Sequence, residues 1–169
     1  MSSKRRFGRP GGGSLLGMMI INGLVAAVVL LIVFVLFDIG HILEARLAAY
    51  PLVGAAAHWS KFWPMLPGAS IGFGCLWYWL VLVGRSRGVP WGGALLYGVL
   101  IAMGNVPFSG FLAGLLHGSP LMGLVLALIA LLSLLLMPSL LLAMLVFGAT
   151  MGAFNGLMAQ GWIERHRPH

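Results

Sequence analysis

Acidic side chains are almost missing from this chain: Asp38, Glu44 and Glu164 are the only three among 169 residues, and charged residues of both signs amount to 8%. A water-soluble domain carries roughly a quarter of its residues as charges, so water is excluded as the solvent for most of this surface. Cysteine is nearly as scarce. Cys75 stands alone within an apolar stretch, which excludes an intramolecular disulfide framework or a thiolate metal cluster and leaves it as a small buried hydrophobe. Ionisable residues are also missing from the interior of the apolar runs, and with them a carboxylate proton relay or a voltage sensor. Pores lined by amides, hydroxyls and backbone stay open as a class.

What is present is apolar. Hydrophobic residues make up 60% of the chain and its mean hydropathy is +1.02, which predicts an all-α integral membrane protein, a polytopic helical bundle. A crossing takes ~20 apolar residues. Counting them gives five spans, at about 15–37, 62–84, 91–116, 121–137 and 139–162, in one bundle over 15–162. A basic arm (1–14) precedes the bundle and a polar tail (163–169) follows it. The run from Leu15 to Phe37 is far longer than the ~7–15 residues of a signal-peptide core, so it reads as a retained span. Ala48-Ala49 resembles a cleavage site only in composition and follows the run too late.

The uncharged stretch Leu121–Trp162 is twice as long as one crossing requires, and Pro138 divides it. Proline removes a helix donor and disfavours helix in the residue before it, so Met137-Pro138-Ser139 is either a turn between two spans or a kink within one. Length favours two spans, five in all. Charge favours four: with the N-terminus cytoplasmic, five spans place six Lys and Arg inside and four outside, whereas four spans also bring Arg165 and Arg167 inside.

The net charge of +7 sits at the ends of apolar runs rather than along one face, so nucleic acid is not expected as a partner. Lys4, Arg5, Arg6 and Arg9 suit anionic lipid headgroups, at about 1 kcal/mol each near a charged surface. An outer loop (38–61) carries Asp38, His41, Glu44, Arg46, His58 and Lys61, with a short interfacial helix expected over Ile42–Ala57. Trp59, Trp63, Trp91 and Trp162 read as headgroup anchors.

Two sets of glycines recur every four residues: Gly110, Gly114 and Gly118, then Gly148, Gly152 and Gly156. That spacing puts each set on one helix face, where a neighbouring backbone can come close, in this chain or in another. Asn22, Asn105 and Asn155 fall within expected spans, where an unpartnered amide costs several kcal/mol in hydrocarbon. They either bond between helices or line a path. Asn105 is the most suggestive, because Gly104-Asn105-Val106-Pro107 is expected to interrupt its helix near mid-depth.

His41, Glu44, His58 and His117 share the expected outer surface and form a weak candidate metal site, without a His-x-x-x-His pair or a dense cluster. No cofactor is expected, since the histidines sit at the rim rather than at the depth a haem would need. For hydrolysis, Gly68-Ala69-Ser70-Ile71-Gly72 matches the Gly-x-Ser-x-Gly pattern, but it opens a hydrophobic helix rather than a strand-to-helix turn. The same residues resemble the Gly-x-Ser-Gly of rhomboid-type intramembrane proteases, with Ile71 in place of that family's second glycine and His117 near the same surface. Tyr78-Trp79, Arg85, Arg87 and the glycine-rich span from Gly98 to Gly114 resemble the rod-shape MreD-type membrane proteins, with Asn105 where that family's span usually carries an acid. That resemblance implies a cell-envelope role.

The soluble segments are too short for a catalytic or nucleotide-binding domain. The expectation is therefore a non-enzymatic subunit or scaffold of a larger membrane assembly, partnered by other membrane subunits or by itself, in a bacterial inner membrane. A small-solute or metal-ion transporter or channel is the alternative.

Overall fold

The computed structural model describes residues 10–44, 63–116 and 118–166, without the side chains of 34–44. Among them there are five helices and no strand: α1 (Gly12–Glu44), α2 (Met65–Arg87), α3 (Trp91–Leu116), α4 (Pro120–Leu136) and α5 (Pro138–Arg165). By length and composition α1, α2, α3 and α5 are long and apolar enough to cross a membrane. α4, at 17 residues, rises about 26 Å and falls just short of the ~30 Å of a hydrocarbon core.

The helix ends follow local chemistry. Pro64 precedes α2 and Pro67 lies in its first turn, where a missing N–H costs nothing. Gly88 ends α2 at φ +85°, a conformation that costs glycine little, and Pro90 prevents continuation. Gly118 makes the same kind of stop after α3 at φ +82°. The hydroxyl of Ser119 then accepts from the Met122 N–H, and Pro120 opens α4.

Two features depart from the sequence expectation. α1 does not stop at Asp38 but continues to Glu44. An acid marks where a helix meets polar surroundings, but it does not break the backbone ladder. The expected outer loop and interfacial helix lie beyond Glu44 largely outside the described residues, as do the basic arm up to Arg9, Trp59 and the last three residues of the tail. α3 also runs unbroken through Pro107. Proline there withholds one N–H from the Met103 carbonyl, and the rest of the ladder holds.

Close approaches fix the direction of each helix. Gly74 lies on Met19 and Gly23 on Ser70, so α1 and α2 are antiparallel. Gly72 lies on Ile101 and Gly68 on Asn105, so α2 and α3 are antiparallel as well. Against α3, Gly110 meets Leu126 and Gly114 meets Gly123, while Gly148 meets Val99, Gly152 meets Ala94 and Gly156 meets Trp91. Both α4 and α5 are therefore antiparallel to α3, and they share one direction. The break at Met137, whose backbone is extended (φ −108°, ψ 96°), offsets the chain without reversing it.

The core lies between α1, α2, α3 and α5. Trp77, Phe73, Phe147, Leu80, Met144 and Met151 are fully buried there, and Phe73 meets Phe147 edge to face at 5.7 Å. The outward faces of α1, α3 and α4 are lined with exposed leucine, isoleucine and valine, and Cys75, expected to be buried, lies exposed on the outer face of α2.

Candidate functional site

The three asparagines that the sequence puts within apolar spans are all buried, and two of them meet. Asn22 on α1 donates to Asn155 Oδ1 at 3.0 Å, and Asn155 on α5 donates to Asn22 Oδ1 at 2.8 Å. Each amide gives a further hydrogen bond to the carbonyl one turn back, Met18 at 2.9 Å and Met151 at 2.8 Å. The pair is a closed ring between helices 133 residues apart in sequence. Nothing in the sequence paired Asn22 with Asn155 rather than with Asn105, because the choice depends on which helices are neighbours.

Asn105 holds another joint. Its amide donates to the Met65 carbonyl at 2.7 Å, binding α3 to the first turn of α2. Its Oδ1 has no hydrogen-bond partner and lies against the backbone of Gly68, where any Cβ would collide with it. A side chain at Gly68 would meet Asn105 and Phe108 there, whereas Gly104, one residue before Asn105, has open space around it.

The two glycine sets divide by location. A side chain at Gly110 or Gly114 would run into the backbone of α4, and one at Gly148 or Gly152 into the backbone of α3. Gly156 faces the Trp91 indole. Gly118 stands apart from the others, at a positive-φ turn with open space around it. The partner of all these faces is the same chain. A third repeat at the same spacing, Ala94, Gly98 and Ala102 on α3, is buried against α5 and was legible by the same signal.

Ser70, the centre of the Gly-x-Ser-x-Gly segment, packs against Gly23 on α1. The described histidine, His166, stands near the opposite end of the bundle from Ser70, so these two form no dyad. The side chains of His41 and Glu44, and the whole of His58 and His117, lie outside the described residues. Among the described residues no three of His, Cys, Asp and Glu converge as metal ligands.

At that opposite end, α2 and α5 finish together. Gly84 packs on Ile163, and the Arg85 guanidinium lies 5.6 Å from the centre of the Trp162 ring. His166 stacks on the same indole at 4.1 Å, and Trp77 meets it edge-on. Arg165 donates to the Gly161 carbonyl, so the last turn of α5 carries a cation where the helix dipole is negative. Beside it a cleft of about 250 Å³ is lined by Gly88, Val89, Trp91, Gln160, Ile163 and Glu164.

Comparison of the chain with family models, with curated proteins and with solved structures finds no match. The rhomboid-type and MreD-type resemblances gain nothing from them.

Proposed function

We propose that this chain crosses a bacterial inner membrane four times, with both termini cytoplasmic, and serves as a non-enzymatic subunit or scaffold of a larger membrane assembly. Four crossings follow from the shared direction of α4 and α5: α1 goes out, α2 returns, α3 goes out, and α4 with α5 returns once. On that path Lys4, Arg5, Arg6, Arg9, Arg85, Arg87, Arg165 and Arg167 are inside and only Arg46 and Lys61 are outside, eight against two of the ten Lys and Arg. The five-crossing path gives six against four.

The scaffold reading rests on how the buried polar groups are used. Asn22 and Asn155 spend their donors and acceptors on each other and on their own helices. Such bonds serve as glue between helices, and they leave these two amides little to offer a solute. Because the glycine faces are occupied inside the chain, a partner would dock on the leucine-rich outer faces of α1, α3 or α4, such as those bearing Leu24, Leu96 and Leu128.

Two measurements test this. A fluorescent protein that matures only in the cytoplasm, fused to the C-terminus, should glow; a dark fusion would restore five crossings. Purification in mild detergent through an N-terminal tag, followed by mass spectrometry under salt and dilution, should retain a defined membrane partner. A lone monomer or clean homo-oligomer would overturn the subunit reading and turn the question to solute and metal flux in liposomes.

A further inference from the structure

α4 and α5 each pack closely on α3 but touch one another far less. The cause is local. Gly114 against Gly123 draws the start of α4 onto the far end of α3, and Gly98 against Gly148 and Gly152 draws α5 onto its near end. Met137 offsets the two axes between these docking points. A wedge of about 220 Å³ is left between them, open on one side and lined by residues that include Met65, Ser109, Gly110, Ala130, Ser133 and Leu140.

We propose that this wedge holds one acyl chain of a membrane lipid as a fixed constituent of the fold, an inference that rests on the membrane-embedded reading above. The walls decide the occupant. Ser109 donates to the Val106 carbonyl at 2.7 Å and Ser133 to the Ile129 carbonyl at 2.8 Å, so both hydroxyl protons are already spent within their own helices. Water is poorly served by such walls, since a buried water needs two to four polar partners and these two hydroxyls keep only acceptor lone pairs to offer. The rest of the lining is chiefly apolar, from Pro64, Met65, Val106, Ala113, Ala130 and Leu140. The surface beside the wedge is the exposed apolar side of α4 and the break, including Ile129, Leu132, Leu136 and Met137. A flexible hydrocarbon chain suits an irregular, open-sided apolar slot, and the surrounding solvent supplies it.

The test uses the full chain in vesicles whose lipids carry a photoactivatable diazirine on the acyl chain, with insertion sites mapped by peptide mass spectrometry. Labelling at Ala130, Ser133 and Leu140 should exceed, several-fold, that at Leu128 and Leu135, which are 58% and 65% exposed and, in vesicles holding this chain alone, would meet only bulk lipid. Filling the wedge with Ala130→Phe, or independently with Ser133→Leu, should abolish the excess and leave Leu128 and Leu135 labelled as before. Equal labelling of the two sets overturns the fixed-lipid inference alone. So does an excess that survives in a variant that still elutes as the folded protein. Absence of label from Leu128 and Leu135 as well would overturn the membrane-embedded reading with it.

Discussion

Replacing Asn155 with leucine would leave the amide of Asn22 facing a hydrocarbon side chain at a site with no solvent exposure. Two interhelical hydrogen bonds vanish, at 3.0 and 2.8 Å. Bonds of this kind in membrane bundles contribute about 0.6–1.7 kcal/mol apiece, so their loss costs about 1–3 kcal/mol. The orphaned Asn22 oxygen adds a desolvation cost of about 1–3 kcal/mol, giving a total of about 2–6 kcal/mol. Asn22→Leu should behave alike, because the pair is reciprocal. The double variant should recover most of the loss, since replacing both partners of a buried hydrogen bond by apolar groups of similar shape is close to neutral. Reversible unfolding in mixed micelles, followed by tryptophan fluorescence for the four proteins of the cycle, reads the coupling directly. A coupling of about 2 kcal/mol or more is expected. If the two single losses simply add, within about 0.5 kcal/mol, the ring is not closed in the folded protein and the argument from spent amides fails.

Two glycine contrasts read the packing. Gly98→Ala places a methyl against the backbone of Gly148 and Gly152, where no side chain can yield, and should cost at least the ~1–3 kcal/mol of ordinary overpacking. Gly104→Ala, on the same helix but with open space around it, should stabilise by about 0.5–1 kcal/mol; equal thermal shifts in detergent would refute the difference. Gly118→Ala should cost about 1–2 kcal/mol through its positive φ alone. Gly118→Asn should cost less than Gly118→Ala, and the reverse order in a melting series would place the effect in contacts instead.

The elements themselves could be read from composition because each apolar run announces its own length, and proline or glycine marks the ends at Pro64, Gly88, Gly118 and Pro138. Direction could not. Whether Met137-Pro138 reverses the chain depends on what α5 docks against, and that is settled by glycine and alanine faces on α3 far away in sequence. The spacing of Gly110 and Gly114, and of Gly148 and Gly152, marked surfaces of close approach without naming their partners. Asn105 drew notice for the proline two residues on, whereas its contacts are the Met65 carbonyl and Gly68, forty residues and thirty-seven residues away. Polar residues inside apolar runs were visible as residues needing partners; which partner each takes is a tertiary matter.

The closed ring of Asn22 and Asn155 has a consequence for how the protein is made. Asn22 leaves the ribosome 133 residues before Asn155, on the order of ten seconds at ordinary rates of synthesis. Throughout that interval the first helix carries an amide whose interhelical partner does not yet exist, and the Met18 carbonyl on its own helix is what it has to bond. A chain truncated after α4 would keep that amide permanently unmatched, and would be distinguishable from the finished protein by the membrane proteases that survey unassembled helices.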